Sequence, residues 1–401
     1  MEQISKLKPG SGALLVFILT AGVFGIINTE MGVIGILPLI AEHFHVTVPE
    51  AGWTVSIFAL VVAISAPIMP LLFSGINRKK VMLLALGVFT LSNIISMLTS
   101  NFTLLLIARA LPAFLHPVYV SMAFTVAAAS VSKEKAPKAV AKVFIGVSAG
   151  MVLGVPVTSY IASEVSFTMG MMFFTVVNAL VFVATLLFVP SMPVKEKLSY
   201  GAQLNVLKKK IIWYSIMAVT LINGALFGFF SYMSDYLRTV TEVSYSVISI
   251  LLMIYGLANI TGNVIAGKQL ATNPIRSMIF IPFALFTFYI CIFILGEWLA
   301  AMAVIILILG ILAGYGQNTM QYMITEAAPE APDFANGLFL LSANLGTTVG
   351  AAACGAFITF FDTRYSVIGS LLFLAVSIIF VVLRIRTVQS SKTIKLKVVA
   401  Q

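Results

Sequence analysis

The chain has 401 residues, of which 60% are hydrophobic and 9% are charged, with a formal net charge of +10. Soluble domains are about 25% charged, so the composition excludes an ordinary soluble fold and indicates a protein that resides in the lipid bilayer. The charges lie in short gaps between long apolar runs, which excludes the basic soluble face that a nucleic-acid partner would require.

The apolar runs predict about twelve transmembrane helices. About 20 apolar residues suffice to cross the bilayer core as a helix, and these runs are too long and too uniformly apolar for barrel strands. The predicted spans are 13–39, 50–73, 80–99, 102–129, 140–162, 168–190, 211–236, 245–268, 276–296, 299–325, 334–361 and 364–384. The fold class is therefore all-α integral membrane, and the first run continues too far to be a cleavable signal peptide.

The segment SMPVKEKLSYGAQLNVLKKK divides the chain near its middle. It predicts an N-terminal six-helix bundle at 1–190, a linker at 191–210, and a C-terminal six-helix bundle with a short tail at 211–401. A weak repeat, GVSAGMVLGVPVTSYI in the fifth span and SANLGTTVGAAACGAFI in the eleventh, supports this division. Lys and Arg gather in alternate gaps, which predicts that the linker and both termini are cytoplasmic.

Three ionisable residues lie deep in otherwise apolar spans, Glu30 in the first and Arg109 and His116 in the fourth. An ionised group in the bilayer costs about 2.5 to 3.5 kcal/mol on insertion scales, so such residues usually serve function. Desolvation favours a protonated Glu30, whereas an approaching Arg109 favours the carboxylate. We predict that these three residues couple transport to protons. The alternatives are a permanent Glu30 to Arg109 ion pair and a His116 that only packs through hydrogen bonds.

The fifth span has glycines at every fourth position, Gly146, Gly150 and Gly154, followed by Pro156. The stripe allows close approach of a neighbouring helix, and the proline permits a bend in a helix that moves. The alternative is static helix packing.

The second half has no acid deep in a span and offers neutral polar and aromatic groups instead. A lining of amide and aromatic groups suits a small amphipathic or neutral polar molecule, although the same groups also bond helices to each other. The predicted substrate contacts are Asn223, Tyr232, Tyr236, Asn259, Gln317, Gln321 and Asn344.

Other chemistries lack the residues they need. Cys291 and Cys354 are isolated in mid-span, which is typical of packing residues and predicts no metal. GNVIAGKQ at 262–269 resembles a phosphate-binding loop but lacks its final Ser or Thr and follows no strand. We therefore expect no cofactor, no enzyme activity and no ATP, with the proton gradient as the energy source.

Four patches are characteristic: TEMGVIGILPLIAEHFHVTVPEAGW, ARALPAFLHPVYVSMAFTVAA, GMVLGVPV and ITEAAPEAPDFANGLF. Through them the chain resembles the major facilitator superfamily, and within it the twelve-span drug:proton antiporters, including bacterial sugar-efflux, arabinose-efflux-permease-like and purine-efflux transporters. The resemblance implies that Arg109 and Glu30 occupy coupling positions and that Gly146, Gly150, Gly154 and Pro156 form the antiporter motif.

One family motif departs from its usual form. The loop between spans two and three usually reads Gly, three residues, Asp, Arg, any residue, Gly, then basic residues. Here Pro70 replaces the first glycine, Ser74 the acid and Asn77 the second glycine. The basic residues Arg78, Lys79 and Lys80 follow. The basic part of this conformational motif is present, but the usual account of an acidic cytoplasmic latch is in doubt.

The resemblance and the buried charges together predict a monomeric, proton-coupled exporter in the bacterial cytoplasmic membrane. Its substrate would be a drug, sugar or nucleobase, and drug export would place it among multidrug-resistance proteins. The alternative is a proton symporter or facilitator of the same fold that takes up a small metabolite.

Overall fold

A computed structural model describes residues 11–46, 48–194 and 200–399. Over this part of the chain it is all-helical, as predicted, and it divides into two compact units between Tyr200 and Gly201. Residues 195–199 of the predicted linker and both chain ends, 1–10 and 400–401, lie outside the described residues.

The first unit contains α-helices interrupted by short stretches of other helix types. In chain order they are α1 (Ser11–Met31), α2 (Leu37–Phe44), α3 (Val48–Ala51), α4 (Trp53–Ser65), α5 (Met69–Phe73), α6 (Arg78–Leu98), α7 (Phe102–Ala113), α8 (His116–Ala129), α9 (Ala136–Ala149), α10 (Val155–Glu164) and α11 (Phe167–Phe188). A 3-10 segment, Gly32–Ile36, joins α1 to α2, and a π-helical turn, Gly150–Gly154, joins α9 to α10.

The second unit has longer uninterrupted helices. They are α12 (Tyr200–Leu204), α13 (Lys210–Phe230), α14 (Met233–Thr239), α15 (Tyr245–Thr272), α16 (Pro274–Leu295), α17 (Leu299–Ala327), α18 (Pro332–Phe360) and α19 (Ser366–Val399). Within this unit α13 packs against α18 and α19, and α15 packs along α17.

Eleven helical segments of the described chain are long and apolar enough to cross a membrane. The remaining predicted span, 50–73, is shorter because it breaks between α4 and α5. Pro67 and Pro70 lie at this break, and each lacks the backbone N–H that would continue the helical ladder.

Candidate functional site

The end of the first span is the centre of a polar site in the first unit. The α-helix stops at Met31 and a 3-10 segment begins at Gly32. Arg109 from α7 reaches this break and donates from Nη1 to the carbonyl of Thr29 at 2.6 Å and from Nη2 to that of Glu30 at 3.1 Å. Its Nε donates to the carbonyl of Thr54 at 3.1 Å. A cation at the carboxyl end of a helix is stabilised by the exposed carbonyls and the helix dipole.

Arg109 is almost completely buried, with 3% of its surface exposed. Its guanidinium carbon lies 5.0 Å from the centre of the Phe58 ring, within the range of a cation–π contact. Three backbone carbonyls and one aromatic face therefore replace the water that the charge loses.

The alternative of a permanent ion pair between Glu30 and Arg109 is not what the structure shows. The Arg109 guanidinium bonds to backbone carbonyls instead of the Glu30 carboxylate. The carboxylate has a different neighbour: Oε2 of Glu30 lies 3.1 Å from Nε2 of His116, the first residue of α8. Arg109 and His116 both reach the same helix end, although the helix that carries them breaks at Phe114 and Leu115.

Glu30 and His116 form an ion-pair contact in a nearly dry environment. Their side chains are 15% and 6% exposed. Nε2 of His116 is within ion-pair distance of the carboxylate but is not aligned for a hydrogen bond, and Nδ1 has no hydrogen-bond partner among the described residues. The imidazole packs edge-on against Phe58, with the ring centres 5.9 Å apart.

Sequence reasoning missed a second layer of this site, centred on Thr29. Its hydroxyl donates to the carbonyl of Gly25 at 3.0 Å and accepts from the amides of Asn93 at 3.2 Å and Asn178 at 2.9 Å. Thr29, Asn93 and Asn178 are all buried. The usable signal was the single amide in the middle of each of the third and sixth spans.

The glycine stripe of the fifth span lies against α1. A Cβ at Gly146 would lie 2.3 Å from the carbonyl oxygen of Thr20, and a Cβ at Gly154 would lie 2.3 Å from the side-chain oxygen of Asn28. A Cβ at Gly150 would lie 2.8 Å from Ile27. Pro156 follows two residues after the π turn that contains Gly150 and Gly154. The stripe is a packing surface, and the helix changes its winding within it.

The altered loop motif is anchored inside the first unit. The Asn77 side chain accepts from the backbone N–H of Lys79 at 3.1 Å and donates to the Ser191 hydroxyl at 2.8 Å. The N–H of Arg78 donates to the carbonyl of Met192 at 3.1 Å, and Nζ of Lys79 donates to that of Leu186 at 2.9 Å. Asn77 thus caps α6 and ties the loop to the start of the linker, while Lys80 is exposed on the first turn.

In the second unit, two predicted substrate contacts are internal packing groups. Nδ2 of Asn223 donates to the Ala343 carbonyl at 2.6 Å and the Thr347 hydroxyl at 2.9 Å, and its Oδ1 accepts from Gln317 at 3.0 Å. The hydroxyl of Tyr236 donates to the Ile292 carbonyl at 3.0 Å, and this residue is fully buried. Because Asn223 and Tyr236 are buried with their polar groups engaged, they hold helices together here, as the alternative interpretation required.

The other predicted contacts are divided. Gln321 is buried and donates to Asn336 at 2.7 Å, and Asn259 accepts from Asn263 at 3.3 Å. Tyr232 and Gln317 are partly exposed and Asn344 is exposed, so these three remain predicted substrate contacts.

A second buried arginine, Arg384, is the last residue of the predicted twelfth span and lies within α19. Arg384 is 2% exposed and donates to the Ser215 hydroxyl at 2.9 Å, to the Met323 carbonyl at 2.9 Å and to the Glu326 carboxylate at 2.6 Å. Among the described residues no group of three or more His, Cys, Asp or Glu could hold a metal ion.

Known proteins match most of this chain. The family model of the Major Facilitator Superfamily matches residues 14–339 and 241–399. An uncharacterized MFS-type transporter of Bacillus subtilis, YtbD, is 31% identical, over 86% of this chain and 88% of that protein. A probable sugar efflux transporter of Helicobacter pylori is 24% identical, over 84% of this chain and 86% of its own length.

The solved structures agree on the fold. The human organic anion transporter MFSD10 (TETRAN) superimposes with a TM-score of 0.78 at 13% identity, covering 93% of this chain and all of that chain. The family model and the 31% identical relative, together with eleven apolar spans among the described residues, show that the chain is a multi-pass membrane transporter and belongs to the Major Facilitator Superfamily.

Proposed function

We propose that the chain exports a small amphipathic or neutral polar molecule in exchange for protons, by alternating access in a bacterial cytoplasmic membrane with both termini in the cytoplasm. The observation that carries the proposal is the ion-pair contact between Glu30 and His116 at the broken end of the first span. Ionisable groups within a membrane usually mark proton relays or substrate pathways.

In the proposed mechanism Arg109 is a fixed charge, and Glu30 and His116 are the pair that exchanges the proton. Arg109 keeps its charge because three carbonyls satisfy it. Glu30 and His116 face each other with little water, so the proton occupancy of one changes the electrostatic energy of the other. Protonating Glu30 removes its attraction for a charged His116, which frees the helix break to rearrange.

In the proposed cycle, a proton from outside loads Glu30 and a cytoplasmic opening of the site releases it. Substrate moves outward in the opposite half of the cycle, so the inward proton gradient drives export. The partly exposed groups Tyr232, Gln317 and Asn344 offer hydrogen bonds and an aromatic face but no charge, which favours a neutral polar or amphipathic substrate over a strongly charged one.

The test is proton release from purified protein in lipid, followed with a pH dye, upon addition of a panel of sugars, purines and cationic dyes. We expect at least one compound to expel protons from the wild type but not from Glu30→Gln. The matched control is Glu164→Gln, an exposed carboxylate of the same unit, which should behave like the wild type.

The direction of transport is tested by reconstituting the protein in liposomes, imposing a pH gradient across the membrane and following the compound so identified. Movement of the compound against the proton flow supports export. Movement with the proton flow would replace export by uptake symport, and normal gradient-driven export by Glu30→Gln would remove Glu30 from the coupling mechanism.

A further inference from the structure

Asn28 is a buried amide that has no partner. It is fully buried on α1, and neither its Nδ2 nor its Oδ1 makes a hydrogen bond. The next two residues along the helix are Thr29, whose hydroxyl bonds to Gly25, Asn93 and Asn178, and Glu30, the proposed proton-coupling residue. A buried amide without partners destabilises the state in which it occurs, so its retention calls for a physical reason.

The neighbour of Asn28 is the irregular part of the fifth span. The side-chain oxygen of Asn28 lies directly over Gly154, where a Cβ would come within 2.3 Å of it. Gly154 ends the π turn Gly150–Gly154. Because Pro156 has no N–H, a carbonyl one turn before it receives no donor from that position. An unused amide donor thus lies beside a segment with a carbonyl deprived of its usual donor.

A second group on this interface is also unpartnered. Thr158 lies one turn after Gly154, is fully buried, and its hydroxyl makes no hydrogen bond. It faces Gly32, one turn after Asn28, because a Cβ at Gly32 would lie 3.1 Å from the Thr158 oxygen. Two consecutive turns of the same helix pair therefore each carry one unsatisfied polar group.

We propose that Asn28 is a positioning residue that favours a second winding of the π turn, in which its Nδ2 donates to a carbonyl of residues 150–154. In the present state the amide is unsatisfied, and in the second state it is satisfied. The contact thereby links the bend of the fifth span to the helix end that carries Glu30. π turns inside α-helices are frequent at functional sites, and a two-state element of this kind is what alternating access requires. The inference needs a transporter that changes conformation and does not depend on proton coupling or on export.

Removing the amide should therefore stabilise the present state. For Asn28→Leu in purified full-length protein in lipid, we expect the melting temperature to rise by about 2 °C. Hydrogen exchange of the amides in residues 150–155 should slow about tenfold, because the competing winding loses its hydrogen bond.

The matched control is Asn178→Leu. Asn178 is equally buried against α1, but its Nδ2 donates to Gly25, Thr29 and Phe174. This substitution removes made bonds and should lower the melting temperature. If Asn28→Leu also lowers it, or leaves exchange in residues 150–155 unchanged, the proposal is overturned, and an ordered water that satisfies Asn28 becomes the explanation.

A second pair of variants tests the contact itself. Gly154→Ala should lower the melting temperature, because its Cβ collides with the Asn28 oxygen. In an Asn28→Ala background the same substitution should cost less than half as much. Equal costs in the two backgrounds would contradict the contact.

Discussion

In each unit glycines bring two helices into close contact, but the polar and charged groups around that contact differ between the units. In the first, Gly150 and Gly154 bring the fifth span against α1, and in the second, Gly346 and Gly350 bring α18 against α13. The helices of this contact are irregular in the first unit, with a 3-10 segment after α1 and a π turn between α9 and α10, whereas α13 and α18 are regular throughout. Helix packing and site chemistry are therefore separable in this protein.

The difference is clearest in the two buried arginines. Arg109 bonds to three carbonyls around a helix break, while Arg384 bonds to a carboxylate and to groups on neighbouring regular helices. Charge in the first unit accompanies irregular backbone, which is where membrane proteins place binding and coupling groups. Charge in the second unit holds regular helices together.

The largest expected effect separates these two arginines. Arg109→Lys replaces a planar guanidinium that donates to three carbonyls with a single ammonium group. We therefore expect pH-gradient-driven flux to fall about 100-fold. Arg384→Lys keeps a cation beside Glu326 and should lower the melting temperature while the pH dependence of flux is retained. Flux is measured per folded protein in proteoliposomes. Equal losses of coupling in both variants would erase the distinction between the units.

A smaller effect compares the two glycine contacts. A Cβ at Gly350 would lie 2.1 Å from the carbonyl oxygen of Gly224, a backbone atom that can move only with its helix. A Cβ at Gly150 would lie 2.8 Å from a methyl carbon and 2.9 Å from the Cβ of Ile27, so its overlaps are less severe and the nearest are with a side chain. Overpacking typically costs about 1 to 3 kcal/mol, so we expect Gly350→Ala near the upper limit and Gly150→Ala near the lower. Thermal unfolding of both variants measures these costs. A larger cost for Gly150→Ala would mean that the contact between α13 and α18 accommodates added volume better than the contact between α1 and the fifth span.

The smallest effect is a pH dependence outside the membrane spans. Partial burial raises the pKa of Glu330, but hydrogen bonds from Lys209 and from the backbone outweigh it, and the pKa is lowered overall. The carboxylate is thus favoured in the folded state, so its contribution is complete above the unfolded pKa of about 4.3 and is lost as the pH falls through the folded value.

This contribution should be small, since both side chains of the pair are 41% exposed and such pairs contribute about 0 to 1 kcal/mol. Glu330→Gln should flatten the acid side of the stability curve slightly, measured as melting temperature between pH 3 and 6. An unchanged acid limb would show that the pair contributes nothing measurable.

The fold was predictable because long apolar runs allow few structures in lipid, and the prolines of the second span explain its break. The grouping of Glu30, Arg109 and His116 was also predictable, because ionisable residues deep in membrane spans usually serve a common function. Their partners were not: Arg109 binds carbonyls, which every residue possesses and no sequence letter distinguishes. Arg384 ends the predicted last span close to Arg386, and only the packing of α19 reveals that its side chain is buried.

The carbonyl partners of Arg109 also set which positions can vary. A carbonyl persists whatever side chain is attached to it, so Thr54 contributes its part of the anchorage through an atom that no ordinary substitution removes. Substitution of side chains along the first two spans thus leaves the carbonyl acceptors of the Arg109 guanidinium in place. The anchorage therefore depends on the identity of one side chain, Arg109, and not on the identities of the residues that supply its acceptors.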